Sequence, residues 1–293
     1  MIPQRKAGRS LFECASLILA CVCALPLFYF LFEALKNSSQ LRDAMVVLAV
    51  VVLVLALKYD VRPGRPNFSR ASFFLLAASY VFFIAGFFLV RRNFAALSGI
   101  IPPWGAYLVF MFSVFAGGAL LIAAVGSLFF DSRRYIAAIS GGFFCLSALS
   151  LFLQFADLPL RILAGKAAGC VLSIFGESVS LLAYKGEIPQ IALRVNSHSY
   201  LVATECNGFG IISSCLILAL VIAIFRRGIT PIGRAGIVCL GVLTGFMANT
   251  LRIAAIIAVS LAVGQEHYYF YHELLGYVFF AAALVLTWHL SER

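Results

Sequence analysis

Hydrophobic positions along the chain gather into long runs separated by short polar or basic segments: Leu11–Leu35, Ala44–Leu57, Ser72–Val90, Gly105–Phe130, Tyr135–Ala156, Phe209–Phe225, Gly236–Val263 and Tyr271–Leu290. A helix needs about 20 residues to cross a bilayer. The pattern therefore predicts an all-α polytopic membrane protein with about eight transmembrane helices. The simplest organisation is one membrane domain, 1–293. Five spans fill 1–156, and the remainder, 157–290, holds an outer segment, 157–205, followed by three more spans. The first run follows Arg5-Lys6-Ala7-Gly8-Arg9 as a signal peptide would, but it is too long and lacks a small-residue cleavage site, so it reads as a retained span.

The segment 157–205 is the only long stretch between runs, and its pattern changes partway. Leu158 to Tyr184, with Gly165, Gly169 and Gly176 and scattered Lys166 and Glu177, is too apolar for a solvated loop. It predicts an interfacial or re-entrant helix. In Ile188 to Thr204, Ile191, Leu193 and Val195 alternate with Ala192 and Arg194, and Asn196-Ser197-His198-Ser199 is rich in turn residues. That predicts a short hairpin before the sixth span, running directly into Cys206.

Composition changes the picture only by fixing the class. The chain is 63% hydrophobic and 12% charged, against about 45–50% and 25% in soluble domains. A net charge of +10 would suggest nucleic acid for a soluble protein, but here the arginines and lysines sit between apolar runs, where they anchor and orient helices. No nucleic-acid partner is expected. With the amino terminus inside, the larger share of Lys and Arg falls on the inner side, notably Lys58–Arg70 and Arg226–Arg234. Both termini are then cytoplasmic, and the starts of the sixth and eighth spans and the end of the seventh face outward from the cytoplasmic (inner) membrane. Six of the eight cysteines, Cys14, Cys21, Cys23, Cys145, Cys215 and Cys239, lie inside apolar runs and act as small apolar residues; only Cys170 and Cys206 lie in or beside polar sequence.

Three polar interruptions on the outward side carry the chemistry. Cys206 stands where a polar segment turns into an apolar helix, beside Gly208 and Gly210; free N–H groups and the positive dipole end there favour thiolate. Its bland alternative is a small residue at a helix start. Arg252 interrupts an apolar run, where a cation costs at least about 2.5–3.5 kcal/mol, so it is either a site residue or a structural cation paired with Glu177 or Glu205. Asn249, three residues earlier on the same helix face, is placed to hold the guanidinium. Arg252 nevertheless lies ~18 Å of helix from the outer loop at Gly264, so either the last turns stand above the membrane or the site is a water-filled hollow. His272 opens the last span, with Gly276 one turn on to let another helix approach the imidazole; otherwise it is an interfacial anchor like Tyr268, Tyr269 and Tyr271. His267 and His198 are rival bases. A thiolate, a base and an oxyanion stabiliser on one side of the membrane are what covalent cysteine chemistry requires.

Cys206-Asn207-Gly208, Asn249-Thr250-Leu251-Arg252 and His272-Glu273-Leu274-Leu275-Gly276 together resemble, in that order, the exosortase/archaeosortase family of membrane transpeptidases. The likeness covers roughly Leu163 to Phe280; Asn207 departs from the commoner Ser or Ala after the cysteine. The resemblance implies catalytic Cys206, Arg252 and His272, supported by Asn249, Glu205, Gly208 and Gly276. It implies a cysteine protease or transpeptidase that cleaves secreted proteins at a carboxy-terminal sorting tail (motif, transmembrane helix, basic cluster) through a thioester, with no metal or organic cofactor. A lipid or surface amine is the implied acceptor. Two other classes compete. One is a non-enzymatic membrane module or transporter whose pathway Arg252 and Glu205 line, and the lack of other intramembrane acids or bases in the later spans counts against a proton relay. The other is a membrane thiol oxidoreductase, against which no CxxC occurs and Cys170 is the one candidate partner.

Overall fold

The computed structural model describes residues 39–58, 61, 69–91, 103–184, 190–202, 206–226, 228–264 and 268–292, with parts of 18–32. In chain order the elements are α1 Ser39–Lys58, α2 Arg70–Arg91, α3 Pro103–Phe129, α4 Arg133–Ile174, β1 Val179–Tyr184, β2 Gln190–Val195, β3 His198–Leu201, α5 Phe209–Phe225, α6 Pro231–Val263 and α7 Tyr268–Glu292. The chain divides into two compact units, Met1–Arg42 with Leu48–Leu151, and Asp43–Val47 with Phe152–Arg293.

In the first unit α2 packs on α3 through small residues that let the backbones come close. Ser79 Oγ donates to the Gly117 carbonyl at 2.7 Å, and Ser72 and Ser127 share a hydroxyl contact at 2.8 Å. Such bonds satisfy hydroxyls that apolar surroundings would otherwise leave unpaired.

The second unit holds every candidate site residue. It is mostly helical, but it is not all-α. β1, β2 and β3 form an antiparallel sheet in that order, registered by Val179 opposite Val195 and by Val195 opposite His198. The β2–β3 hairpin is the one expected from alternation. Asn196 at its turn takes a left-handed φ of 54°, its amide donates to Glu177 at 2.6 Å, and its carbonyl oxygen accepts from the Ser178 N–H at 3.2 Å. Asparagine tolerates that conformation because its short side chain bonds to nearby backbone.

The interfacial helix expected over Leu158–Tyr184 is corrected. Its first part continues α4, an unbroken helix of 42 residues with Pro159 inside, and its last part is strand β1. Asp157 does not end the helix, because Arg161 one turn on neutralises it at 2.7 Å. Val179–Tyr184 is a short apolar run, whose period does not distinguish strand from helix.

Three helices among the described residues are long and apolar enough to cross a membrane: Leu108–Phe129, Pro231–Val263 and Tyr269–Glu292. Arg70–Gly86 and Phe209–Phe225 are shorter apolar helices. Three is the number that length and composition support among the described residues, and several of the eight expected runs lie partly outside them.

Candidate active site

Helices α5 and α7 run parallel, with α6 antiparallel between their directions; Arg226, closing α5, donates to the Ser291 carbonyl at the end of α7 at 2.8 Å. Their starts accordingly lie at one end of the group. The packing of α6 on α5 is set by a row of positions four apart. A Cβ on Gly241 would lie 2.6 Å from Ala219 Cβ and 2.7 Å from the Cys215 carbonyl oxygen, and one on Gly245 would lie 2.7 Å from Ile212 Cα. Absence of side chains at both positions lets the two backbones approach.

Asn249 continues the row at the start of α5. It is fully buried, and its amide donates to the Cys206 carbonyl at 3.1 Å. Gly208 faces it with φ +81°; a Cβ there would lie 2.5 Å from the Asn249 amide nitrogen. Both the dihedral and the contact require glycine. The expectation that Asn249 holds the Arg252 guanidinium is therefore corrected: it holds the backbone of the cysteine. Shared helix face is a weaker constraint than the neighbour that the face meets.

The helix start itself is built by Asn207. Its side-chain oxygen accepts from the Phe209 N–H at 2.8 Å, while its amide donates to Asp157 Oδ1 at 2.8 Å, and Asp157 Oδ2 pairs with Arg161. Asn207 and Arg161 are buried, at 1% and 6% exposure. Neither Asp157 nor Arg161 was singled out from sequence. The available signal was an acid and a base four residues apart in otherwise apolar sequence.

Cys206 is buried and outside any disulfide, and its Sγ lies 3.8 Å from His272 Nε2. His272 sits in the second turn of α7 and is half-buried. Of the rival bases, His198 is exposed at the hairpin turn against Ser197, and His267 is outside the described residues. So is Glu205. Gly276 does not serve a close helix approach, since a Cβ there would meet nothing within 4 Å among the described residues.

Arg252 is buried at 9% exposure, and among the described residues its guanidinium has no hydrogen-bond or ion-pair partner; its Nε is enclosed and unsatisfied. Glu177 does not pair with it and instead accepts from the Asn196 amide. Arg252 stands one turn, ~4.5 Å of helix, beyond the Asn249 that touches Cys206. Part of the helix beyond it is accounted for as well. Ile253, Ala254 and Ile257 pack with Cys206 against Ile191, Leu193, Val195 and Tyr200 of the sheet and Ala164, Ala168 and Leu172 of α4. Turns of α6 beyond Arg252 thus belong to a layer built on the sheet, and a Cβ added at Gly165 or Gly169 of α4 would lie 3.1 Å from Leu181 or Val179 of β1.

The family model described as "Transmembrane exosortase (Exosortase_EpsH)" matches residues 35–289. The chain belongs to the transmembrane exosortase family. The match spans the three sequence motifs and most of the preceding helices of this exosortase-family protein. No curated protein and no solved structure matches the chain.

Proposed function

We propose that this exosortase-family chain is a membrane cysteine transpeptidase that cleaves carboxy-terminal sorting tails of secreted proteins through a thioester, on the outer face of the cytoplasmic membrane. The observation that carries the reading is the pair Cys206 Sγ and His272 Nε2 at 3.8 Å, with a buried Arg252, its Nε unsatisfied among the described residues, one helix turn beyond the Asn249 that bonds the Cys206 carbonyl. A buried cation suits a site that receives negative charge during reaction.

In this mechanism His272 takes the thiol proton, and Cys206 Sγ attacks the scissile carbonyl carbon. The carbonyl oxygen becomes an oxyanion beside Arg252. Collapse breaks the C–N bond, His272 protonates the departing amine of the tail, and the thioester remains. A second nucleophile, an amine of a lipid or surface group or water, then attacks; His272 takes its proton and returns it to the thiolate as the C–S bond breaks. The separation of 3.8 Å is long for a committed hydrogen bond to an unsubstituted thiolate, and such contacts tighten when substrate binds.

The test is processing, in cells, of a secreted protein whose tail carries a motif, a transmembrane helix and a basic cluster. Cys206→Ala, His272→Ala and Arg252→Ala are each expected to abolish or greatly reduce cleavage at unchanged enzyme abundance. Unchanged cleavage in Cys206→Ala would remove the reading.

A further inference from the structure

The mechanism above uses Cys206, His272 and Arg252 and leaves unexplained a buried polar chain that ends at the residue after the nucleophile. Four charged or amide groups are connected in series there. Arg161 grips one oxygen of Asp157 at 2.7 Å, Asp157 uses its other oxygen to receive the Asn207 amide at 2.8 Å, and the Asn207 carbonyl oxygen receives the Phe209 N–H at 2.8 Å. Each end is anchored to a different rigid element, α4 on one side and the first turn of α5 on the other. Between them lies the short irregular link Cys206-Asn207-Gly208, whose only side chains are the thiol and the amide. Asn249 fixes the same link from α6 by bonding the Cys206 carbonyl.

An irregular link of this kind has soft dihedrals on both sides of the nucleophile, and hydrogen bonds from helices are what remove that freedom. We propose that Asp157, braced by Arg161, is a positioning residue that fixes Cys206 through Asn207, so that the thiol is held against His272. This inference rests on the reading of Cys206 as nucleophile. The carboxylate suits the task because an acceptor-only group compels Asn207 to present its amide nitrogen, which in turn aims the carbonyl oxygen at the Phe209 N–H. Charge on Asp157 also makes the bond to Asn207 stronger than one between neutral groups. Asn207, unusual against the Ser or Ala of the resemblance, is long enough to span from the link to α4, which a serine or an alanine is not. A displacement of the reacting group by about 1 Å costs on the order of 10²-fold in rate, so loss of the tether should be felt in turnover more than in substrate binding.

The experiment uses the full chain with a co-expressed secreted reporter that the wild-type enzyme processes, and compares cleavage rates at matched enzyme abundance. Asn207→Ala keeps the Asp157–Arg161 pair and removes the tether; a fall of about 10- to 100-fold is expected, carried by kcat with KM little changed. Asn207→Asp sets two carboxylates against each other and should be at least as slow. Asp157→Asn combined with Asn207→Asp reverses the polarity of the same bond, because the new amide at 157 donates to the new carboxylate at 207, which still accepts from Phe209. The double variant should be faster than Asn207→Asp alone by about tenfold or more. A merely structural contact would not give recovery of turnover from a reversed pair. The proposal is overturned if Asn207→Ala cleaves at the wild-type rate, or if the double variant is no faster than Asn207→Asp. Failure of the underlying reading looks different: there Cys206→Ala itself cleaves as wild type.

Discussion

Gly208 is the position where a single atom decides the most. Its φ of +81° and the 2.5 Å that a Cβ would leave to Asn249 mean that Gly208→Ala must both strain the backbone, at about 1–2 kcal/mol, and push Asn249 off the Cys206 carbonyl. The expected result is a lower midpoint of thermal unfolding in detergent together with loss of cleavage; a wild-type midpoint would contradict the geometry. Candidates were visible in the sequence where a polar group stood out against apolar surroundings, as with Cys206, Arg252 and His272, and the structure brings Cys206 to His272. Partner identity was not. Asn249 and Arg252 are three apart and share a face, yet nothing in that spacing says whether the face meets its own arginine or the backbone of Cys206. Asp157 escaped notice because a charge ending an apolar run marks the start of a loop, whereas its charge is taken up by Arg161 within one helix.

Among the elements, α5 and α6 depend on two glycines that carry no polar signal. The Gly241-x-x-x-Gly245 spacing was readable as a close-packing face; its meaning, that it sets the height at which Asn249 meets Cys206, needed the partner helix. Gly245→Ala places a methyl 2.7 Å from Ile212 Cα, backbone that cannot yield without moving α5. A loss of about 1–3 kcal/mol is expected. Gly276→Ala is the control, with nothing within 4 Å among the described residues, and should leave stability unchanged or raise it by up to about 1 kcal/mol through helix propensity. Thermal unfolding of both variants checks the pair, and equal destabilisation would contradict it. The hairpin was legible from alternation and from its turn residues. β1 was not, because a six-residue apolar run next to glycines satisfies a helix pattern as readily as a strand.

At the scale of the whole molecule, α4 has the longest reach. Its 42 residues carry Arg133 and Arg134 at the start and Cys170 near the end, and the proposed orientation assigns the first two to the inside and Cys170 to the outside. Cys170 is exposed and so open to a label. In intact spheroplasts an impermeant maleimide should label Cys170 and should not label a cysteine introduced by Ser132→Cys until the membrane is opened. The reverse pattern would invert the topology and place Cys206 on the cytoplasmic side. Class and helical content were legible from hydropathy alone. The layer formed by the sheet on the far turns of α6 was not, because its residues are individually as apolar as those of a span.

The central claim is that Cys206 carries the substrate covalently. The most direct measurement is to isolate the enzyme from cells processing a tagged sorting-tail protein and look for a hydroxylamine-labile adduct by peptide mass spectrometry. The account predicts an acyl group on the Cys206 peptide, absent in Cys206→Ala together with cleavage. Cleavage that persists in Cys206→Ala, or an adduct mapped to another residue, would contradict it.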